Sequence, residues 1–534
     1  MQRNSTWLTP RIMVQCILFL VLLAWYGFFL AQKTNLITAD LGRHIKNGEI
    51  ILHHGFSDTS RDILATNFYS YTNPQFPFLN HHWLGGVIFF LIHSLAGFTG
   101  ISIFFILLSL ATFALFFFIA HRMAGFSIPF ALSLILIPLI AERVEIRPEG
   151  FSYLFIAIFF LILWQFKEKR ISWHWLLVLP VLELLWVNLH VYFFFGILLI
   201  ILFLLDCIIA CVRGHNREYA RQSMKQLACI VVLSLGVILI NPAGLAGALY
   251  PLTIFNNYGY LIVENQSIWF LKKLNFITPN FLILKTSLAI LAASFAVLII
   301  RKRDAISFIP LMLAVITSAM AMLAMRNFTL FALFAIPIAA ANISTALSPS
   351  IKRDIEQFHP GFLFILSLVI IATISFNYTR IGAEFQTRGL GLAPNNNASS
   401  DFFLAHDIKG PLLNNYDIGG YLIYNLAPKE KVFVDNRPEA YPNSFFQDIY
   451  IPLQENEHAW ERAQQTYHFN AIFFAYRDYT PWAQRFLVTR IQDPAWAPVF
   501  ADNYAIIFLK RNELNADLIA KFEIPKNRFS ITPQ

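Results

Sequence analysis

Apolar runs of membrane length alternate with short polar breaks from residue 12 to residue 378, and then they stop. A helix rises about 1.5 Å per residue, so about 20 apolar residues cross a hydrocarbon core. On that rule the pattern predicts about eleven spans, at 12–31, 99–120, 127–141, 149–166, 173–188, 190–212, 226–241, 281–300, 305–324, 327–346 and 360–378. Trp83–Gly97 is apolar but only about 15 residues long, and it carries His93 and several glycines; it predicts an interfacial or half-embedded helix. After residue 378 the periods shorten. Asp401–Asp407, Asn456–Tyr467 and Pro481–Ile491 predict helices, while Pro411–Asn415, Lys431–Asp435 and Ala471–Tyr476 predict strands. Trp496–Leu509 predicts a hairpin turning at Asp502-Asn503. The expected fold class is mainly α, a polytopic membrane region over residues 1–378 with a long first loop at 32–82, followed by a soluble α/β domain over 379–534.

Composition sharpens this. Hydrophobic residues make up 57% of the chain, 54 of its residues are Phe, and charged residues make up 13%. Water-soluble domains carry about 25% charged residues, so this chain has too little polar surface to be one large soluble globule. The formal charge of +8 does not form a nucleic-acid footprint, because the basic residues sit in short clusters between apolar runs. No nucleic-acid partner is expected. If Trp83–Gly97 does not cross, Arg122, Lys167–Arg170, Arg213–Lys225, Arg301–Arg303 and Lys352-Arg353 all share the cytoplasmic side. Arg3 and Arg11 precede the first run, which reads as an uncleaved span. An odd number of spans then puts the tail outside. Cys16, Cys207, Cys211 and Cys229 lie in or beside apolar runs, where packing explains them.

That topology gathers the polar stretches on the outer face, and ionisable residues beside a membrane tend to mark function. Asp40 follows the first span; a carboxylate there suits a general base or a divalent-cation ligand, or else a plain surface pair with Arg43. His44 follows Asp40 at helical spacing. His81 and His82 are adjacent, so on a regular helix they cannot both face one site; they suit hydrogen bonds to a phosphate or a substrate hydroxyl, or an interfacial belt with Trp83. The densest pattern is Glu142-Arg143-Val144-Glu145-Ile146-Arg147-Pro148-Glu149. Arginine offers a planar fork to phosphate, and a short outer loop should be poor in arginine. His190 and Arg326 interrupt apolar sequence on the same face.

These stretches resemble a known family. Asp40-Leu41-Gly42-Arg43-His44 with Gly48-Glu49, Phe68-Tyr69-Ser70-Tyr71-Thr72 and His81-His82-Trp83-Leu84 are similar to the first periplasmic loop of bacterial GT-C-type membrane glycosyltransferases. The superfamily resembled is that of protein O-mannosyltransferases and the lipid A aminoarabinose transferase. Arg147-Pro148-Glu149-Gly150-Phe151-Ser152, Trp186-Val187-Asn188-Leu189-His190, Asn241-Pro242-x-Gly244 and Arg326-Asn327-Phe328 extend the likeness. So do Asp417-x-Gly419-Gly420-Tyr421-Leu422 and Val434-Asp435-x-Arg437-x-x-x-Tyr441 in the tail.

The resemblance implies a GT-C-like fold in the bacterial inner membrane with a periplasmic tail. It implies an inverting transfer of a sugar from a polyprenyl-phosphate carrier to a glycan, lipid or protein acceptor. Asp40 matches the first-loop acid and Glu145 lies near the second acidic position; both are expected to be catalytic. Arg43, His44, His81, His82, Arg143, Arg147, His190 and Arg326 are expected to bind substrate. Asn67 and His82 stand where acids are expected, so no metal site is assigned, although a divalent cation stays open. Two other readings remain: a non-catalytic envelope-assembly protein that retains the fold, and a lipid or polysaccharide transporter. The second predicts internal repeats, which the sequence lacks.

Overall fold

The computed structural model describes residues 10–55, 57–214, 216–254, 258–478 and 480–529; Arg3 lies outside them. A helix stands at each of the eleven predicted spans. They are α1 (Pro10–Leu30), then, after α2 (Leu41–His54) and α3 (Asp58–Ala65) in the first loop, α4 (Trp83–Ala124), α5 (Ser127–Ile140), α6 (Glu149–Lys167), α7 (Val178–Val187), α8 (Phe194–Val212) and α9 (Arg217–Val237). After α10 (Leu245–Thr253) and α11 (Ile268–Lys273) come α12 (Pro279–Lys302), α13 (Phe308–Leu323), α14 (Phe328–Ala346), the short α15 (Pro349–Glu356) and α16 (Pro360–Phe376). Six of the described helical segments are long and apolar enough to cross a membrane, and the bent pair α15–α16 would make a seventh. Ser127–Ile140, Trp173–Val187 and Phe308–Leu323 are apolar but shorter. The protein is a multi-pass membrane protein.

α4 is two helices joined at a kink: the segment before Gly97 meets the segment 98–124 at that glycine, where φ is +61°. Its first half is held down by α2. A Cβ on Gly48 would stand 2.2 Å from the Gly86 carbonyl oxygen, so these two backbones approach as only glycine allows. The core of the bundle is α14, buried along almost its whole length against α4, α5 and α12. Exposed Leu, Ile and Val on α1, α9, α12 and α16 face outward, as lipid-facing surfaces do.

The tail opens with α17 (Tyr378–Thr387) and continues through α18 (Ala398–Ala405), α19 (Gly419–Leu426), α20 (Pro452–Glu455), α21 (Glu457–Tyr467), α22 (Pro481–Gln492) and α23 (Ala516–Phe522). Its single sheet has the order β1-β2-β4-β3, from β1 (Leu412–Asn414), β2 (Ala471–Ala475), β3 (Trp496–Ala501) and β4 (Ala505–Lys510). β1 pairs with β2 in parallel and the rest are antiparallel. β2 is buried at every residue, which explains its unbroken apolar run. Tyr450, Trp460 and Trp496 are core residues.

One strand expectation fails. Lys431–Asp435 has strand chemistry but joins no sheet. Val432 pairs instead with the first loop: its N–H donates to the Tyr69 carbonyl at 3.0 Å and its carbonyl accepts from the Tyr71 N–H at 3.2 Å, while the Phe433 N–H, the Val434 carbonyl and the Asp435 N–H bond to Asn414 and Tyr441 within the tail. Thr72 Oγ1 donates to the Phe433 carbonyl at 2.9 Å. Buried backbone groups must be paired, and here the partner is a loop from the other end of the chain. The first loop and the tail therefore lie on one side of the bundle.

Candidate active site

α2 begins at Asp40, which holds the N-cap position yet makes no capping hydrogen bond. An aspartate there ordinarily caps its own helix. This one turns away: Oδ1 accepts a hydrogen bond from Asn436 Nδ2 of the tail, and Arg43 Nη2 lies 3.7 Å from the same oxygen. Arg147 Nε lies 3.5 Å from Oδ2. Asp40 thus stands where three distant parts of the chain meet. It opens on a cavity of about 480 Å³ walled by Arg43, His44, His81, His82, Arg147, Glu149, His190, Glu264, Arg326, Asn436 and Glu439. Eight of the ten residues singled out in the sequence, Asp40 among them, line this cavity; Glu145 and Arg143 stand behind it.

Glu145 is half exposed and bonds Arg147 Nη2 at 2.6 Å from outside the cavity. Arg143 is buried behind the wall, paired with Glu149 at 2.7 Å and with Glu264. Besides Asp40 and Glu439, the acids that line the cavity are Glu149, the first residue of α6, and Glu264, in the turn Val263–Asn265. Glu264 also accepts from Arg147 Nη1 at 2.7 Å. Burial opposes its charge, but Arg147 and Arg143 outweigh burial and hold its carboxyl well below the usual carboxylate range. Arg326 lies 3.6 Å from Glu149 and donates to Asn265 Oδ1 at 3.0 Å.

Two guanidinium nitrogens in this network lack a hydrogen bond. Arg147 Nε and Arg326 Nε are buried and make no hydrogen bond among the described residues, and neither does His44 Nδ1. Unmet buried donors are costly, and at a functional site they mark a place prepared for an acceptor. The imidazoles cluster beside them, with ring centroids 3.6 Å apart for His81 and His82, 5.2 Å for His44 and His82, and 5.4 Å for His82 and His190. His81 and His82 both reach the cavity because they sit in the turn before α4 rather than on its regular helix. Burial, then Arg43 and Arg326, bring His81 down to about 3 against a hydrogen bond to the Leu79 carbonyl. Burial lowers His44 and His82 well below the ordinary value, with Arg43 and Arg147 adding to it at His44 and the neighbouring imidazoles at His82. They are neutral at pH 7. His190 Nδ1 lies 2.8 Å from Ser152 Oγ, which accepts from Trp186 Nε1 at 2.7 Å, so the likeness-bearing residues at 152, 186 and 190 form one buried chain.

No group of three His, Cys, Asp or Glu side chains among the described residues is arranged to hold a metal ion. Asp40, the sequence's candidate ligand, has its two oxygens beside Asn436, Arg43 and Arg147. Asp435 and Arg437 form a structural pair at 2.6 Å, buried with Asn67 and Tyr441. A Cβ on Gly419 would stand 2.4 Å from Asp435 Cα, so the glycine pair of the tail lets α19 press against this segment and aim Asn436 at Asp40.

No family model and no curated protein sequence matches the chain. Solved structures do match. The archaeal oligosaccharyltransferase AglB from Archaeoglobus fulgidus, in complex with an inhibitory peptide and a dolichol-phosphate, aligns over 93% of this chain and 74% of its own, with a TM-score of 0.57 and 11% identity. The same oligosaccharyltransferase in the apo form gives 0.55 over 93% and 73%, also at 11% identity. ArnT from Cupriavidus metallidurans in the apo state aligns over 96% of this chain and 99% of its own, with a TM-score of 0.52 and 12% identity. What these likenesses establish is the architecture: the chain has a GT-C-like fold over nearly its whole length.

Proposed function

We propose that the protein is a membrane glycosyltransferase that moves a sugar from a polyprenyl-phosphate carrier to an acceptor hydroxyl at the outer face of the bacterial inner membrane. One observation carries the reading: buried guanidinium nitrogens that make no hydrogen bond among the described residues, on Arg147 and Arg326, border the same cavity as Asp40. Phosphate is the anion that such forks fit. Val191, Phe194, Met320 and Leu323 continue the wall away from the arginines, which gives an isoprenoid tail an apolar path. The dolichol-phosphate bound to the archaeal neighbour is a lipid phosphate of the same chemical class.

On this reading the acceptor oxygen attacks the anomeric carbon as the carbon–oxygen bond to phosphate breaks. The leaving phosphate gains charge, and Arg147 and Arg326 stabilise that charge as it develops. A single displacement inverts the sugar and needs no covalent enzyme intermediate. Asp40 orients the acceptor or takes its proton, held in place by Asn436 and Arg147. Glu149 and Glu264, rather than Glu145, fill the second acidic position, where they keep the arginines aligned. Neutral His44 and His82 accept or donate hydrogen bonds to sugar hydroxyls without adding charge. The basic clusters put this face outside the cytoplasm, together with the tail.

The test is binding and turnover in nanodiscs. The wild-type protein is expected to retain a polyprenyl phosphate in native mass spectra, and Arg326→Ala is expected to lose it. Asp40→Asn is expected to keep the lipid and lose the glycan product at normal protein abundance. Retention of the lipid by a protein lacking both Arg147 and Arg326 would overturn the reading.

A further inference from the structure

A second cavity of about 950 Å³ lies beside the first and shares His81, Ile254 and Glu439 with it. Its character is different. Trp83, Leu184, Val187, Ile240, Ala246 and Tyr250 make an apolar groove between membrane helices, and its one cation, Arg61, is exposed and paired with Asp58. No buried arginine lines it. The groove therefore offers nothing to a phosphate, whereas the arginine cavity has its own apolar exit along α8 and α13. Two lipid paths of opposite head-group preference meet at one wall.

Glu439 is that wall. It comes from the tail, in the turn Pro438–Ala440, and makes no ion pair among the described residues. Every inward acid of the first cavity is engaged by arginine; this one is not. Arg43, Arg437 and Asp435 are the charged groups around it, and Tyr250 and Tyr258 line the two cavities that it borders. Burial raises its carboxyl above the ordinary range, against a hydrogen bond from its own backbone and the pull of Arg43 and Arg437, which suits a group that gains a proton during turnover.

We propose that the acceptor is a lipid-borne alcohol whose hydrocarbon part lies in the apolar groove, and that Glu439 receives the proton of its hydroxyl. This rests on the glycosyltransferase reading above. The hydroxyl oxygen bonds to the anomeric carbon, the electron pair of the broken bond leaves with the phosphate, and the proton passes to the Glu439 carboxylate. Asp40, tied by Asn436, Arg43 and Arg147, then orients the reacting groups and stays ionised.

Two photoactivatable probes separate this proposal from the reading beneath it, used on the full chain in nanodiscs with adducts mapped by mass spectrometry. A diazirine-bearing diacylglycerol, a neutral lipid alcohol, is expected to label 184–188 and 240–254. A diazirine-bearing polyprenyl phosphate is expected to label 191–194 and 320–326. Ala246→Trp is expected to abolish the first labelling and leave the second. Polyprenyl phosphate in its place with no diacylglycerol in the groove overturns the inference alone; polyprenyl phosphate in the groove overturns the division of the two paths. Failure of polyprenyl phosphate to label either region overturns the glycosyltransferase reading. In membranes fed tritiated monosaccharides, Glu439→Gln is expected to cut labelling of the lipid product by about 100-fold or more with both probes still bound, and Glu439→Asp to restore part of it. Wild-type labelling by Glu439→Gln removes Glu439 from the reaction.

Discussion

Arg147 Nε stands 3.5 Å from Asp40 Oδ2, joining the loop before α6 to the start of α2. The same guanidinium holds Glu145 on one side and Glu264 on the other. An arginine shared among three carboxylates is oriented by all of them, and its fork cannot be copied by an ammonium. Arg147→Lys is therefore expected to weaken polyprenyl-phosphate binding by about 10-fold or more, measured by lipid titration in nanodiscs, with the helical circular dichroism unchanged.

The two acids flanking that arginine in sequence should behave differently. Glu149 is buried and satisfies Arg143, Arg326 and the Tyr153 hydroxyl, whereas the Glu145 side chain is 53% exposed. Breaking a buried pair leaves uncompensated charge and costs about 3–5 kcal/mol. Glu149→Gln is expected to lower the thermal midpoint by several degrees, and Glu145→Gln to leave it within a degree or two. Equal effects in differential scanning fluorimetry would contradict this placement.

Gly48 offers a test of packing away from any chemistry. Its missing Cβ leaves room for the Gly86 backbone, so Gly48→Ala must separate α2 from α4 and pull His44 and Asp40 away from the arginines. The expected outcome is a destabilisation of about 3 kcal/mol or more, seen as loss of the folded peak in size-exclusion chromatography. Gly55→Ala, with nothing within 4 Å of its Cβ, meets no such wall, although its φ of +56° still carries a local strain.

Asp417 sets a pH dependence in the tail. Burial first, then Asp478, Asp40 and Glu145, push its carboxyl up to about 7. The folded chain thus holds this proton more tightly than the unfolded chain does. Its contribution is fully present below the unfolded value of about 4 and is lost as pH rises through 7. Asp417→Asn is expected to raise the thermal midpoint more at pH 8 than at pH 5. His81 runs the other way. With its folded value near 3, the unfolded chain takes up a proton below about 6.5 that the folded chain refuses. Stability present above that pH is lost on acidification, by roughly 1 kcal/mol per pH unit, and His81→Asn should flatten melting curves between pH 6.5 and 4.

The sequence was most legible where one period or one residue type decides the outcome. All eleven helices, the β2 run and the β3–β4 hairpin follow from apolar spacing and turn chemistry. So does the gathering of the polar breaks around one cavity, because charge beside lipid is expensive wherever it occurs. Lys431–Asp435 was misread because Val-Phe-Val has the composition of a strand whatever its partner, and here the partner is the first loop. Glu264 was missed although a stretch of about 40 residues separates the spans at 226–241 and 281–300, far longer than a turn requires. Asn436 and Glu439 flank Arg437, whose pairing with Asp435 is purely structural. Nothing local distinguishes the residues that reach the cavity from those that hold the segment in place.

The bonds between Tyr69, Tyr71 and Val432 also order the birth of the molecule in time. The first loop leaves the ribosome some 360 residues before the segment that completes it. Until the tail has been made, Asp40 lacks Asn436 and the junction lacks Glu439. A nascent or truncated chain can therefore hold its apolar helices and still lack the far wall of the cavity.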